Sequence, residues 1–247
     1  MRIKIYVESH PDVAQSWNNL GSAYQALGQY ETSIQYHKKA LDLRIKIYGE
    51  EHQSVTTSWN NLGSVYHSMG QYETSIQYHK KALDLGIKIY GEEHPSVATS
   101  WSNLGSAYDS MGRYKTAIQY YEKSLDIDIK IYGASHPHVA TVWNNMGGAY
   151  QALGRYETAI QYYQKALDIE IEVFGETHPY VATIWNNLAG VYFSIGKYKK
   201  AIEYAKKALP ICEKFLGKDH PHTKTVRENL EMAQEKLAEK VGSSVDQ

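Results

Sequence analysis

The sequence contains one cysteine, Cys212, so no disulfide can form within the chain, and this usage is typical of a reducing compartment. Its apolar runs fall well short of the roughly 18 residues that a membrane span requires. The first residues alternate charged and apolar side chains and lack the apolar core of a signal peptide. A net charge of −1 offers no basic excess for nucleic acid or anionic membranes. We therefore expect a cytoplasmic protein that binds neither nucleic acid nor membrane.

Phenylalanine is scarce, with 3 residues, whereas the 5 tryptophans are evenly spaced. They recur every 42 residues, as Trp17, Trp59, Trp101, Trp143 and Trp185. The same interval relates the histidines at 10, 52, 94, 136, 178 and 220. Residues 10–51 and 52–93 differ at only 9 of 42 positions. A fixed period of this size predicts a stacked array of structural repeats.

Each repeat has the pattern of two helices. Val13, Trp17, Leu20, Tyr24 and Leu27 are spaced by four and three residues, as on one face of an α-helix. Pro11 suits a first helical turn, and Gly28 suits the left-handed position after a helix end. The second helix carries two apolar stripes, which indicates that it is buried on two sides. Gly86, inside one second helix, is expected to make that repeat the weakest.

The period defines the expected organisation of the chain. We expect a remnant of a preceding second helix at 1–9, then five repeats at 10–51, 52–93, 94–135, 136–177 and 178–219. Residues 220–241 are rich in lysine and glutamate and are expected to form a capping helix with a polar outer face. Residues 242–247 are expected to form a disordered tail.

The first helix carries Trp17, Leu20, Gly21 and Tyr24 in the spacing W-x-x-L-G-x-x-Y, and Ala40 follows in the second helix. This motif resembles the tetratricopeptide repeat (TPR) signature. The 42-residue period and the joining segment from Tyr90 to Ala98 are more similar to the kinesin light chain and nephrocystin-3 arrays. The resemblance implies an all-α, right-handed superhelical solenoid whose concave groove, lined by the first helices, receives a protein or extended peptide.

The expected groove is polar and almost uncharged, and asparagines dominate it. Their amides both donate and accept hydrogen bonds, so they could pair with the backbone of an extended ligand. An alternative is that the Asn19 series joins neighbouring repeats, and the Asn18 series is expected to be the more exposed. The candidate partner-binding residues are Asn18, Asn19, Asn60, Asn61, Asn103, Asn144, Asn145, Asn186 and Asn187.

The histidines have structural explanations. Equivalent residues of adjacent repeats lie roughly 10 Å apart, too far to share one metal ion. His10 is interpreted as part of a helix start, and His37 and His79 as aromatic packing positions, because tyrosines replace them at 121 and 163. No glycine-rich phosphate loop or nucleophile–base pair is found. We expect no catalytic residue, no metal and no cofactor.

These observations predict a non-catalytic scaffold that binds a protein or peptide in the groove. Two alternatives remain open. The uncapped N-terminal end could stack on another copy and form a homo-oligomer. The array could also be the sensor region of a larger signalling ATPase, a role that similar arrays have.

Overall fold

The computed structural model describes residues 10–245, and within that range every regular element is an α-helix. The first helices of the five repeats are α1 Pro11–Ala26, α3 Gln53–Ser68, α5 Pro95–Ser110, α7 Pro137–Ala152 and α9 Pro179–Ser194. The second helices are α2 Tyr30–Tyr48, α4 Tyr72–Tyr90, α6 Tyr114–Tyr132, α8 Tyr156–Phe174 and α10 Tyr198–Leu216. A final helix, α11, runs over Pro221–Val245. The predicted all-α fold of consecutive helix–turn–helix pairs is confirmed.

Histidine begins the first helices, as the sequence predicts. The Nδ1 atom of His52 accepts a hydrogen bond from the backbone N–H of Ser54 at 3.2 Å. This bond satisfies one of the donors that a helix start leaves without an intrahelical partner. The imidazole also stacks on the aromatic ring that ends the preceding helix, with 4.2 Å between the Tyr48 and His52 centroids. The same pair of contacts recurs at His94, His136 and His178.

Glycine ends both helices of each repeat. Gly28, after α1, has φ +72°, and Gly49, after α2, has φ +82°. An L side chain is strained in this left-handed region, whereas glycine has no Cβ to clash. The Gln29 N–H then donates to the Tyr24 carbonyl at 2.9 Å, which closes the end of α1. The predicted role of these glycines is confirmed.

The chain divides into two compact units, Met1–Ile131 and Tyr132–Gln247. In the first unit, α2 packs between α1 and α3, and α4 packs between α3 and α5. Leu62 is fully buried in a cluster with Leu41 of the preceding repeat and Leu85 of its own. The second helix is therefore buried on two sides, as its two apolar stripes predict.

The second unit repeats this arrangement. Here α8 packs against α7 and α9, and α10 packs against α9 and α11. Thr223 and Val226 of α11 are fully buried, whereas Met232 and several charged neighbours are exposed. The Arg227 guanidinium donates to a Glu213 carboxylate oxygen at 2.7 Å and so ties α11 to α10.

The chain ends differ from the expectation in one respect. Helix α11 continues to Val245, beyond the predicted boundary at 241 and into the segment predicted as a disordered tail. No proline follows that boundary to interrupt the helix. The predicted helix remnant at 1–9 lies outside the described residues, as do residues 246 and 247. Among the described helices, none is long and apolar enough to cross a membrane.

Candidate functional site

The first helices lie beside one another within each unit. In the first unit α1 contacts α3 and α3 contacts α5, and in the second unit α7 contacts α9 and α9 contacts α11. In each unit, we call the surface formed by these neighbours the first-helix face of that unit. It carries the asparagines that the sequence singles out.

The asparagines form hydrogen bonds between neighbouring first helices. The Asn61 amide donates to Asn18 Oδ1 at 2.7 Å, and the Asn187 amide donates to Asn144 Oδ1 at 2.9 Å. A third bond of this type runs from Asn229 of α11 to Asn186 Oδ1 at 3.1 Å. These contacts agree with the alternative that the Asn19 series joins neighbouring repeats. Asn229 was missed, although counting 42 residues on from Asn187 would have found it.

The expected difference in exposure between the two asparagine series is wrong in the first repeat. Asn18 is buried, because it pairs with Asn61, whereas Asn19 is exposed and accepts a bond from the Gln15 side chain at 2.8 Å. Asn60, Asn61, Asn103, Asn144, Asn145, Asn186 and Asn187 are half-buried. Their polar atoms line the first-helix face, but several are already used within the fold.

Asn60 makes a different set of contacts from Asn18. Its amide donates to the Ser100 hydroxyl at 3.1 Å, and its oxygen lies 2.9 Å from His79 Nδ1. Because an amide oxygen only accepts, Nδ1 must carry the hydrogen. Burial, and then the nearby His67, lowers the pKa of His79 to about 4, so the ring is neutral near pH 7. Asn103 lies beside it in a polar cavity of about 180 Å³.

The ring positions beneath the first helices are packing positions, as predicted for His37 and His79. Both imidazoles are buried. A Cβ added to Gly21 would lie 2.7 Å from the His37 ring, and one added to Gly63 would lie 2.6 Å from the His79 ring. Glycine at this position of the motif therefore lets the ring approach the backbone of the first helix.

One further candidate position was not recognised as a series from the sequence, although Gly86 and Cys212 were noted individually. The position that Arg44 occupies lies in the second helix, below the first-helix face, and we call it position 44 after that residue. In successive repeats it holds Arg44, Gly86, Asp128, Glu170 and Cys212. Arg44 is buried and its guanidinium donates to the Ser58 hydroxyl at 2.7 Å and to the Gln15 side chain at 3.1 Å. Aligning the repeats by their period would have revealed this change of charge among otherwise similar units.

Glu170 occupies the same position in the second unit. It is only 3% exposed, and its Oε2 atom has no hydrogen-bond partner in the described part of the chain. Burial raises the pKa of this carboxyl group. The side chain borders a cavity of about 250 Å³ that Thr141 and Asn144 of α7 and Thr183 of α9 also line.

The described residues offer no arrangement for metal binding or for nucleophilic chemistry. Over residues 10–245, no group of three or more His, Cys, Asp or Glu side chains could hold a metal ion. Cys212 is buried, and burial raises the pKa of its thiol. The nucleophilic thiolate is therefore disfavoured.

Comparison with known proteins adds a family match. A profile described as Tetratricopeptide repeat matches residues 12–66, 54–130, 138–214 and 180–240. A comparison with curated protein sequences finds no match.

Solved structures share the fold at low sequence identity. A kinesin-light-chain-like protein of Podosopora anserina with nearly identical TPR-like repeats is 24% identical, with a TM-score of 0.67 over 83% of this chain and 97% of that one. BtubC (BKLC) of P. vanneervenii is 22% identical, with a TM-score of 0.73 over 88% of each chain. A Rap protein complexed with competence and sporulation factor is 17% identical, with a TM-score of 0.69 over 90% of this chain and 64% of that one.

Proposed function

Because the profile matches span most of its length, the chain belongs to the tetratricopeptide repeat family, and we propose that it is a non-catalytic scaffold. In this proposal the first-helix face receives a protein or an extended peptide. The proposal includes a cytoplasmic location, because the free, buried Cys212 is typical of a protein in a reducing compartment. The similar Rap protein, which is complexed with competence and sporulation factor, supports a binding role for the fold.

The first-helix face is the surface that we assign to the ligand, because of its cavities. Two cavities open on it, one beside Asn103 in the first unit and one beside Asn144 in the second. Both are lined by hydroxyl and amide side chains, which can pair with the backbone of an extended ligand. The presence of these two cavities, the first mainly polar and the second mainly apolar with polar groups in its lining, among the candidate asparagines is the observation that carries the proposal.

The test compares one substitution on this face with the same substitution elsewhere. Asn103→Arg introduces a bulky charge into the first-helix face, and Gln119→Arg introduces it on the exposed surface of α6. Partners captured by the wild-type protein from an extract should be lost with Asn103→Arg and kept with Gln119→Arg. Thermal unfolding of both variants checks that the fold is intact. Equal capture by the two folded variants would contradict the proposal.

A second candidate function is self-assembly through the N-terminal end. Leu20 is 43% exposed and Leu27 is 71% exposed, whereas Leu62, the equivalent of Leu20, is fully buried against the preceding repeat. We propose a second copy of the chain as the alternative occupant of this apolar surface. Sedimentation across protein concentrations tests it. Dimers that Leu20→Gln abolishes would support this function, and a monomer at every concentration would exclude it.

A further inference from the structure

Glu170 is a buried carboxyl group for which the described part of the protein supplies no counter-charge. It projects from α8 between α7 and α9, and its Oε2 atom is fully buried without a hydrogen-bond partner. A buried carboxylate in a protein is normally paired or hydrogen-bonded, because water no longer stabilises its charge. The side chain therefore has unused capacity to bind a cation.

The cavity beside Glu170 has the size and the lining for a side chain with an apolar stem and a polar end. Its volume is about 250 Å³, and it is bordered by the side chains of Thr141, Asn144, Tyr180 and Thr183. None of its lining residues is a lysine, arginine or histidine. The lining, which also includes Ala140 and Ile184, is more apolar than polar, and it places a few hydroxyl and amide groups beside one carboxylate with no competing positive charge.

The equivalent place in the first unit is filled by a cation that belongs to the protein itself. Arg44 stands 126 residues before Glu170, three periods of the repeat. Its guanidinium is held by the Ser54 carbonyl at 3.2 Å, the Ser58 hydroxyl and the Gln15 side chain. The space between successive first helices in that unit therefore accommodates a guanidinium group.

The residues around position 44 have changed together with its charge. Ser58, which accepts a hydrogen bond from Arg44, corresponds to Ile184, and Gln15 corresponds to Thr141. A neutral hydroxyl donor near the carboxylate is thereby lost. The Glu170 cavity thus keeps hydroxyl and amide groups from Thr141, Asn144 and Thr183, but Ile184 offers no hydrogen-bond partner to the carboxyl group.

We propose that the Glu170 cavity binds the cationic end of an arginine or lysine side chain of the ligand. This inference rests on the proposed function, because it treats the first-helix face as the ligand surface. The cation pairs with the Glu170 carboxylate, and the side-chain oxygens of Thr141, Asn144 and Thr183 accept hydrogen bonds from its remaining N–H groups. An ion pair in such a water-poor place is stronger than one on the surface. The raised pKa of Glu170 agrees with the absence of a counter-charge in the free protein.

The experiment uses small probes of defined charge. N-acetyl-arginine amide and N-acetyl-lysine amide are titrated into the full chain, and N-acetyl-citrulline amide, a neutral isostere of the arginine probe, serves as the control. NMR shifts of the Thr141, Asn144 and Thr183 signals report binding. We expect both cationic probes to bind and to do so at least about tenfold more tightly than citrulline. Equal binding of arginine and citrulline probes, or no shift at these residues, would overturn the proposal.

Two variants locate the effect at one carboxylate. Glu170→Gln keeps the size of the side chain and removes its charge, and Glu172→Gln removes the same charge from the exposed surface of α8. Arginine binding should fall by about tenfold or more with Glu170→Gln and stay unchanged with Glu172→Gln. Equal losses in the two variants would show a general effect of charge and contradict the proposal.

The outcome is separable from that of the proposed function. Partner capture in the Asn103→Arg comparison tests the first-helix face of the other unit of the chain. Probe binding tests only the Glu170 cavity. Retained partner capture without probe binding would exclude the cation site alone, and probe binding without any effect of Asn103→Arg would exclude the proposed scaffold face alone.

Discussion

At the residue scale, the fold depends on a glycine in the first helix that faces a ring in the second. A Cβ on Gly105 would lie 2.6 Å from the Tyr121 ring, and one on Gly147 would lie 2.7 Å from the Tyr163 ring. In the fifth repeat both positions change, to Ala189 and Ala205. The protein thus contains two solutions to one packing problem, a ring with glycine and a methyl group with alanine.

A double-mutant cycle tests this complementarity. Gly147→Ala should lower the free energy of unfolding by about 1–3 kcal/mol because the new methyl group overpacks the Tyr163 ring. Tyr163→Ala alone should lower it by about 3–5 kcal/mol by leaving a cavity. The double variant should be more stable than the sum of these losses by about 1 kcal/mol or more. Denaturant unfolding measures all three, and strictly additive losses would contradict the complementarity.

The adjacent glycine provides a matched control. A Cβ on Gly148 would lie 3.6 Å from the Tyr163 hydroxyl, which is an ordinary contact. Gly148→Ala should therefore leave stability unchanged or raise it by up to about 1 kcal/mol, because alanine is the better helix former. A loss equal to that of Gly147→Ala would show that general crowding, and not the close approach of the ring to Gly147, causes the effect.

His37 should make the protein sensitive to acid. Burial, and then the charge of Arg44, lowers its pKa from 6.5 to about 4, and neither ring nitrogen has a hydrogen-bond partner in the described residues. Between pH 6.5 and 4 the unfolded chain therefore binds a proton that the folded chain does not. Stability falls as the pH is lowered through this window, by up to about 2 kcal/mol at pH 5.

His37→Tyr removes the contribution of His37 to the pH dependence of stability and introduces the residue that the chain has at the equivalent position 163. Tyr163 stands at the equivalent position and donates to the Gln151 side chain at 3.1 Å, and Gln25 is the equivalent of Gln151. The variant should lose less stability than the wild type between pH 7.5 and pH 5, as measured by thermal or urea unfolding at each pH. Parallel losses in the two proteins would show that His37 does not titrate in this way.

At the element scale, the helices end where the sequence places glycine, but one second helix also contains a glycine in its interior. Gly86 lies inside the last part of α4, where Arg44 stands in α2. A Cβ at this position would lie 3.4 Å from Val97 Cγ2 and 3.9 Å from Thr56 Cγ2, so a methyl group fits. The glycine weakens the helix without serving a tight contact.

Gly86→Ala should raise the free energy of unfolding by about 0.5–1 kcal/mol, because alanine has the higher helix propensity and fewer unfolded conformations than glycine. Gly91→Ala, at the end of the same helix, should lower it, because Gly91 has φ +80°. Chemical unfolding compares the two variants directly. A destabilising Gly86→Ala would show that the space beside α4 is required to stay empty.

Helix limits were predictable from local signals, whereas contacts between repeats were predictable only as an alternative for the Asn19 series and not as particular residue pairs. His52 and Gly49 act through their own backbone neighbours, so the sequence alone predicts their roles. The partner of Asn18 depends on how two first helices are placed side by side, and no local pattern encodes that placement. The same is true of Glu170, whose lack of a partner appears only when α7, α8 and α9 are together.

At the scale of the whole molecule, near-identical repeats present a problem of specificity, because equivalent surface positions look alike. The chain differs from one repeat to the next at position 44, and at the ring position, which holds His79 in one repeat and Tyr163 in another. Both lie beneath the first-helix face and border or approach its cavities. We infer that the buried layer, more than the asparagines above it, gives each part of the face its own chemistry.

The central claim is that the first-helix face is the surface that contacts the partner, and site-specific photo-crosslinking tests it most directly. A benzophenone side chain is placed at Thr99, exposed on α5, or at Gln119, exposed on α6 of the same repeat. After irradiation with the captured partner, the protein labelled at Thr99 should form a covalent adduct and the protein labelled at Gln119 should not. Adducts from Gln119 without adducts from Thr99 would contradict the claim.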